Sequence, residues 1–111
     1  MNVKIGSDIV HIPRFKKTFL ENREYFLRNV FLPDESKIGN EEHLAGIFAA
    51  KEAAMKGLQL KPGQWLEIEI AYKETRKPFF KKFPKSKYLK HTLTISHDGE
   101  YAIAFAVFYQ T

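Results

Sequence analysis

The sequence predicts an α+β fold in which an antiparallel sheet packs against helices. Three observations predict it. A β-branched run, Val3–Val10, opens the chain; helical periodicity fills the middle and is clearest from Asn40 to Leu58; and strand alternation punctuated by turn residues returns in the last third. The 111 residues are 44% apolar and include 10 Phe, which suits one domain, residues 1–111, with a real hydrophobic core.

Taken in order, Val3–Val10 alternates weakly and reads as a strand, with Gly6 permitting a bulge or the close approach of another group to the backbone. Asp8 lies inside that strand, where a carboxylate needs a partner if it is buried. It reads equally as a cap or turn former at a strand end and as a ligand. Pro13 suits the first turn of a helix that aligns Ile12, Phe15 and Phe19 on one face and leaves Arg14 and Lys17 elsewhere. A second short helix, Arg23 to Phe31, is expected to bury Phe26, Val30 and Leu27, and Phe31 to Ser36 carries the Pro and Asp of a turn.

Asn40 is the expected N-cap of the main helix, Glu41 and Glu42 suit the positive end of its dipole, and Gly57 is the expected residue just past its last turn. Leu44, Ile47, Phe48, Met55 and Leu58 form one apolar stripe, and Ala45, Ala49, Glu52 and Lys56 form a neighbouring strip. The strip has two readings. Glu52 and Lys56 are either a solvated i,i+4 pair, worth about 0.2–0.5 kcal/mol, or they hold a cation and an anion beside alanines that leave room for a ligand.

Beyond Gly57, Pro62 and Gly63 mark a turn, and Leu66–Tyr72 alternates as a half-buried strand. Pro78 to Phe80 suits the start of an edge strand. The basic stretch Lys81–Lys90 reads as an exposed loop whose Phe83 and Tyr88 tuck inward. His91–Ser96, the turn His97-Asp98-Gly99-Glu100 and Tyr101–Tyr109 form a hairpin.

Composition removes several chemistries. The absence of cysteine excludes disulfides and thiolate chemistry, and the four histidines are not spaced as a metal site. No stretch approaches the length of a membrane span, so a cytoplasmic protein is expected. A net charge of +5 favours an anionic partner: nucleic acid, a phosphorylated small molecule or an acidic protein. No Walker A loop, GxGxxG turn, HExxH pair or GxSxG elbow is present. Oxygen chemistry remains: Asp8 and Glu52 are hard ligands of the kind Mg²⁺ takes one or two at a time, with Lys56 one turn beyond Glu52 to hold phosphate.

These residues carry a resemblance. Gly6-Ser7-Asp8-Ile9-Val10 with Arg14-Phe15, then Leu44-Ala45-Gly46-Ile47-Phe48-Ala49-Ala50-Lys51-Glu52-Ala53 with Lys56, then Lys77-Pro78, then Ser96-His97-Asp98 before Tyr101-Ala102 occur in an order and spacing that resemble the 4′-phosphopantetheinyl transferases of the holo-acyl-carrier-protein synthase type. The resemblance implies that family's fold and transfer of 4′-phosphopantetheine from coenzyme A to a serine of an apo acyl carrier protein, with release of 3′,5′-ADP, in fatty-acid and lipid biosynthesis. It implies Mg²⁺ on Asp8 and Glu52, and catalysis by Asp8, Glu52 and Lys56. Lys51 would belong to the coenzyme-binding helix signature with Lys56, and Pro78 and His97 would line the nucleotide end of coenzyme A. Arg14 would meet the acidic carrier protein. The family's short members are homotrimers with sites between subunits.

The chain departs from the family pattern at Ile47, where Arg is usual, and at Arg76, where Gly usually precedes Lys-Pro. Losing an arginine removes a five-donor cation that isoleucine does not replace. Two alternatives accompany the leading reading: a non-catalytic binder of coenzyme A or carrier protein, and a small basic nucleic-acid-binding domain resting on Lys81–Lys90.

Overall fold

The structure, a computed structural model, describes residues 2–37, 39–85 and 90–110. Ten elements follow one another: β1 (Asn2–His11), α1 (Ile12–Glu21), α2 (Arg23–Asn29), α3 (Pro33–Ser36), α4 (Glu41–Leu58), a 3₁₀ turn (Trp65–Glu67), β2 (Glu69–Tyr72), β3 (Pro78–Lys82), β4 (Lys90–Asp98) and β5 (Tyr101–Gln110). The fold is α+β, as expected. The antiparallel strands divide into a three-stranded sheet ordered β1-β5-β4 and the hairpin β2-β3.

Register assigns each side chain of the larger sheet to a face. Asp8 lies opposite Ala104 and Gly6 opposite Ala106, while Leu93 and His97 pair with Ala106 and Ala102. These residues share the inner face, where Ala102, Ala104 and Ala106 are fully buried and leave space for a helix. That helix is α4. Its backbone runs so close to β1 that a Cβ on Gly6 would lie 1.8 Å from the Ala53 carbonyl oxygen, and one on Gly57 would lie 3.1 Å from Gly6 N. The close approach anticipated at Gly6 is therefore to the main helix.

Helix α4 is buried on most sides, which corrects two expectations. Ala45 and Ala49 have no exposed surface; the alanine strip is core packing against the sheet and leaves no room for a ligand. Gly57 lies inside the helix, and the left-handed cap is Gln59 at φ 55°. The expected N-cap holds, with Asn40 Oδ1 accepting from His43 N at 3.0 Å.

Helices α1 and α2 close the core with aromatics. Phe15 packs on Phe48 with ring centroids 5.5 Å apart, and Phe19 packs on Phe26 at 5.6 Å. Leu27 is exposed, contrary to expectation, because its helix ends after Asn29 and buries Phe26 instead. The first half of the predicted strand Leu66–Tyr72 forms the 3₁₀ turn, and pairing starts at Glu69. Side chains join hairpin and sheet: Phe80 N donates to His91 Nε2 at 3.0 Å and Lys77 Nζ to Leu93 O at 3.3 Å. Phe83 packs on Phe108 at 5.1 Å, as the inward reading required, whereas Tyr88 lies outside the described residues.

Candidate functional site

Asp8 and Lys56 meet because β1 and α4 cross at glycines. Lys56 Nζ donates to Asp8 Oδ1 at 2.8 Å and to the Ser7 carbonyl at 3.2 Å. Asp8 is largely covered, its side chain 16% exposed, whereas Lys56 is 59% exposed, so the ammonium keeps an open side for an anion. The strand-end cap reading of Asp8 does not hold, since the residue sits within β1.

Glu52 lies one turn before Lys56 and is half-buried. Burial first, and then the negative charge of Asp8, push its carboxyl above the ordinary value, while Lys56 and the Trp65 indole pull it back. The two carboxylates share an open cavity of about 320 Å³ with His11, Arg14, Phe15 and Phe48. Arg14 sits at its edge on the first turn of α1, which His11 caps: Arg14 N donates to His11 Nδ1 at 3.3 Å, and His11 Nε2 bonds Glu100 Oε2 at 3.2 Å. On the other side of Glu52, a second cavity of about 350 Å³ is lined by Met55, Lys56, Gln59, Leu60 and Trp65. Glu52 thus stands between two hollows with Asp8 and Lys56 at its side.

This donor set fits a small hard cation. Two carboxylates that repel each other, with Glu52 raised in pKa by burial first and by the Asp8 charge second, would be relieved by a divalent ion held by both. Among the described residues no group of three or more His, Cys, Asp or Glu is placed to hold a metal ion, so any cation here would rest on these two carboxylates.

Pro78 and His97 are not brought to this cluster within one chain. His97 Nε2 lies 3.1 Å from the Glu42 carbonyl, beside Gly46 on the first half of α4. From Gly46 to Glu52 the helix rises about 9 Å and turns about 120° away. Pro78 opens β3 opposite Tyr72, whose ring packs on His43 at 5.1 Å. His43, Tyr72, Ile47, Asp34, Glu69 and Lys81 line a third cavity of about 220 Å³. Burial and the nearby His97 hold the His43 imidazole below its ordinary pKa, and burial pushes the Tyr72 phenol up to about 12. Ile47, 1% exposed, brings no charge to this wall.

Lys51 departs from expectation. Its ammonium is buried, 2.7 Å from Glu35 Oε1 and donating to the Val30 and Trp65 carbonyls at 2.7 and 3.0 Å. It is a structural cation and does not reach a ligand directly, because residues 51 and 52 point about 100° apart on a helix. Glu35 also accepts from Leu32 N and Ile70 N, each at 2.8 Å. Sequence reasoning missed it, since a glutamate after Pro-Asp reads as a surface turn. It missed Trp65 too; a lone tryptophan directly before the expected strand Leu66–Tyr72 was the available signal. Arg76 adopts φ 70°, the left-handed conformation that glycine occupies most easily, so the turn before Lys77-Pro78 is kept despite the substitution.

Residues 4–106 match the model of the 4′-phosphopantetheinyl transferase superfamily. The chain is 34% identical to the holo-[acyl-carrier-protein] synthase of Caldanaerobacter subterraneus over 121 residues, covering 96% of this chain and 94% of that one. It is similar to the Helicobacter pylori holo-[acyl-carrier-protein] synthase solved in complex with coenzyme A, with a TM-score of 0.84, 32% identity, and 95% and 99% of the two chains covered. The Bacillus anthracis holo-(acyl-carrier-protein) synthase, solved in complex with CoA (3′,5′-ADP), gives a TM-score of 0.80 at 27% identity over 97% and 96%.

Proposed function

We infer that this chain, which belongs to the 4′-phosphopantetheinyl transferase superfamily and is a phosphopantetheinyl transferase of the holo-[acyl-carrier-protein] synthase type, moves the 4′-phosphopantetheine group of coenzyme A onto a serine of an apo acyl carrier protein. The observation that carries this reading is the Lys56–Asp8 contact at 2.8 Å with Glu52 on the wall of the cavity that Asp8 lines. In the transfer, the bond from serine Oγ to the β-phosphorus forms as the bridging phosphorus–oxygen bond breaks, 3′,5′-ADP leaves and the serine proton is given up. Asp8 and Glu52 would hold Mg²⁺, which when bound neutralises charge on the diphosphate. Lys56, tethered to Asp8 but open on one side, presents its ammonium to the same phosphate oxygens, where charge develops. Arg14, at the edge of the apolar hollow on α1, faces the acidic carrier, and the net charge of +5 speeds that encounter.

Pro78 and His97 would take the nucleotide end, and their separation from Asp8 within one chain supports a site completed by a neighbouring copy. The outer face of β1 and β5 supports the same reading. Ile5, Ile9 and Phe105 are 67, 59 and 53% exposed, and register places them on one side of the sheet beside Val107 and Ile103. An apolar patch of this kind on so small a chain calls for a partner surface, and a homotrimer of one-domain chains, in the cytoplasm, supplies it. No helix among the described residues is long and apolar enough to cross a membrane.

Incubation of the protein with coenzyme A, Mg²⁺ and a panel of apo carrier proteins tests the reading by mass spectrometry. The carrier gains the mass of phosphopantetheine on one serine; carriers that all keep their apo mass overturn it.

A further inference from the structure

Trp65 is the one tryptophan of the chain, and its backbone is pinned from the interior. Its carbonyl accepts from Lys51 Nζ at 3.0 Å and from Ile68 N at 3.2 Å. Lys51 is in turn locked by Glu35 at 2.7 Å. The indole ring lies against Phe48, with centroids 6.4 Å apart and planes at 31°. Phe48 is one turn before Glu52 on α4, and Trp65 shares with Glu52, Met55 and Lys56 the cavity on the loop side. The indole Nε1 is buried and makes no hydrogen bond of ordinary geometry. Glu52 carries the carboxylate that lines the same cavity as the indole. A buried donor without an acceptor is costly, and a half-buried carboxylate beside a second one lacks donors. Each group supplies what the other needs.

We propose that Trp65 is a positioning residue for Glu52: its indole N–H takes one oxygen of the carboxylate and leaves the other turned toward Asp8, ready for a cation. Outer-shell donors fix metal-ligating carboxylates in this manner. The Glu35–Lys51 pair inside the fold is the brace that holds Trp65 beside Glu52. The inference rests on the reading of Glu52 as a ligand of the divalent ion, and it adds a residue that touches neither the ion nor the phosphate.

A single tryptophan gives a single indole cross-peak in a ¹⁵N–¹H spectrum, which makes the contact observable in the native chain. Glu52→Gln moves that peak in the absence of metal. Mg²⁺ with coenzyme A moves it in the native chain and leaves it in place in the Glu52→Gln variant. Trp65→Phe, which keeps a ring and removes the N–H, raises the Mg²⁺ concentration for half-maximal transfer about tenfold, with the KM for carrier protein unchanged. An indole peak indifferent to Glu52→Gln overturns the proposal whatever Mg²⁺ does, and it does so even where Trp65→Phe fails to fold. A peak that answers Glu52→Gln and ignores Mg²⁺ instead overturns the assignment of Glu52 to the ion, and the positioning role with it.

Discussion

Lys51 and Glu52 are neighbours in sequence with opposite fates. Lys51 turns inward to Glu35 with no exposed surface on either side chain, and Glu52 turns to the cavities. A buried ion pair adds little net stability, yet removing one partner strands the other. Lys51→Met is therefore expected to lower stability by about 3–5 kcal/mol, and adding Glu35→Gln is expected to recover part of it, as read by urea unfolding. Equal losses in the single and double variants would count against the pair. His91 sets a pH dependence. Burial, and secondarily Lys73, hold its imidazole below the ordinary value, and its Nε2 must stay unprotonated to accept from Phe80 N. His43 is held down as well, by burial and then by His97. The unfolded chain thus binds protons first, beginning near the ordinary imidazole value of about 6.5. This contribution to stability is complete above that value and is lost as pH falls through the lower folded values. The raised carboxyl of Glu52 acts in the opposite sense at more acidic pH. Urea midpoints should fall from pH 7.5 to pH 5.5, and His91→Gln, which keeps an acceptor without that titration, should flatten the fall.

The crossing of β1 and α4 is the element on which the site depends. Gly6 and Gly57 let two backbones touch, and the contact places Asp8 within 2.8 Å of Lys56. A methyl group at Gly6 would collide with the Ala53 carbonyl oxygen, a rigid atom that yields only if the strand moves. Gly6→Ala should cost about 1–3 kcal/mol, the usual range for overpacking, and should reduce transfer at temperatures where the fold persists, because Asp8 moves with its strand. Full activity in a folded Gly6→Ala protein would separate the crossing from catalysis. The turn before β3 invites the opposite change. Arg76 stands at φ 70°, and a left-handed residue other than glycine costs roughly 1–2 kcal/mol. Arg76→Gly is expected to raise stability by about 1 kcal/mol, the relief of strain being partly offset by the greater freedom of glycine in the unfolded chain; calorimetric unfolding measures it.

At the scale of the whole molecule, the two halves of the proposed site face away from each other. Asp8, Glu52 and Lys56 lie along the second half of α4, and His97 and Pro78 lie beside its first half and the hairpin. A site shared between copies makes a sharp prediction about mixtures. Asp8→Asn and His97→Ala chains, each impaired alone, should regain activity when unfolded together and refolded. At equal mixing about a quarter of the interfaces in a cyclic assembly would join two intact halves. No recovery from a mixture that has assembled would place the whole site in one chain. Sedimentation of Ile9→Glu, on the outer apolar face, checks the assembly itself, with dissociation toward monomer expected.

Local patterning determined much of this protein by itself. Apolar spacing and caps located β1, α1, α4 and the terminal hairpin, because a strand or helix with one buried face writes that face into its own sequence. The carboxylates of Asp8 and Glu52, with Lys56 a turn beyond Glu52, were legible as candidates from residue type and spacing. Only the tertiary structure decided which side chains of α4 face water. A helix buried on nearly all sides has no blank face to read, so the alanines became core and Lys51 became an internal cation bound to a glutamate 16 positions earlier. The partnership of Gly6 with Ala53 and the neighbourhood of Trp65 and Glu52 were likewise settled there. Such contacts join segments far apart in sequence, and the geometry that brings them together belongs to the packed sheet and helix, which no single segment encodes.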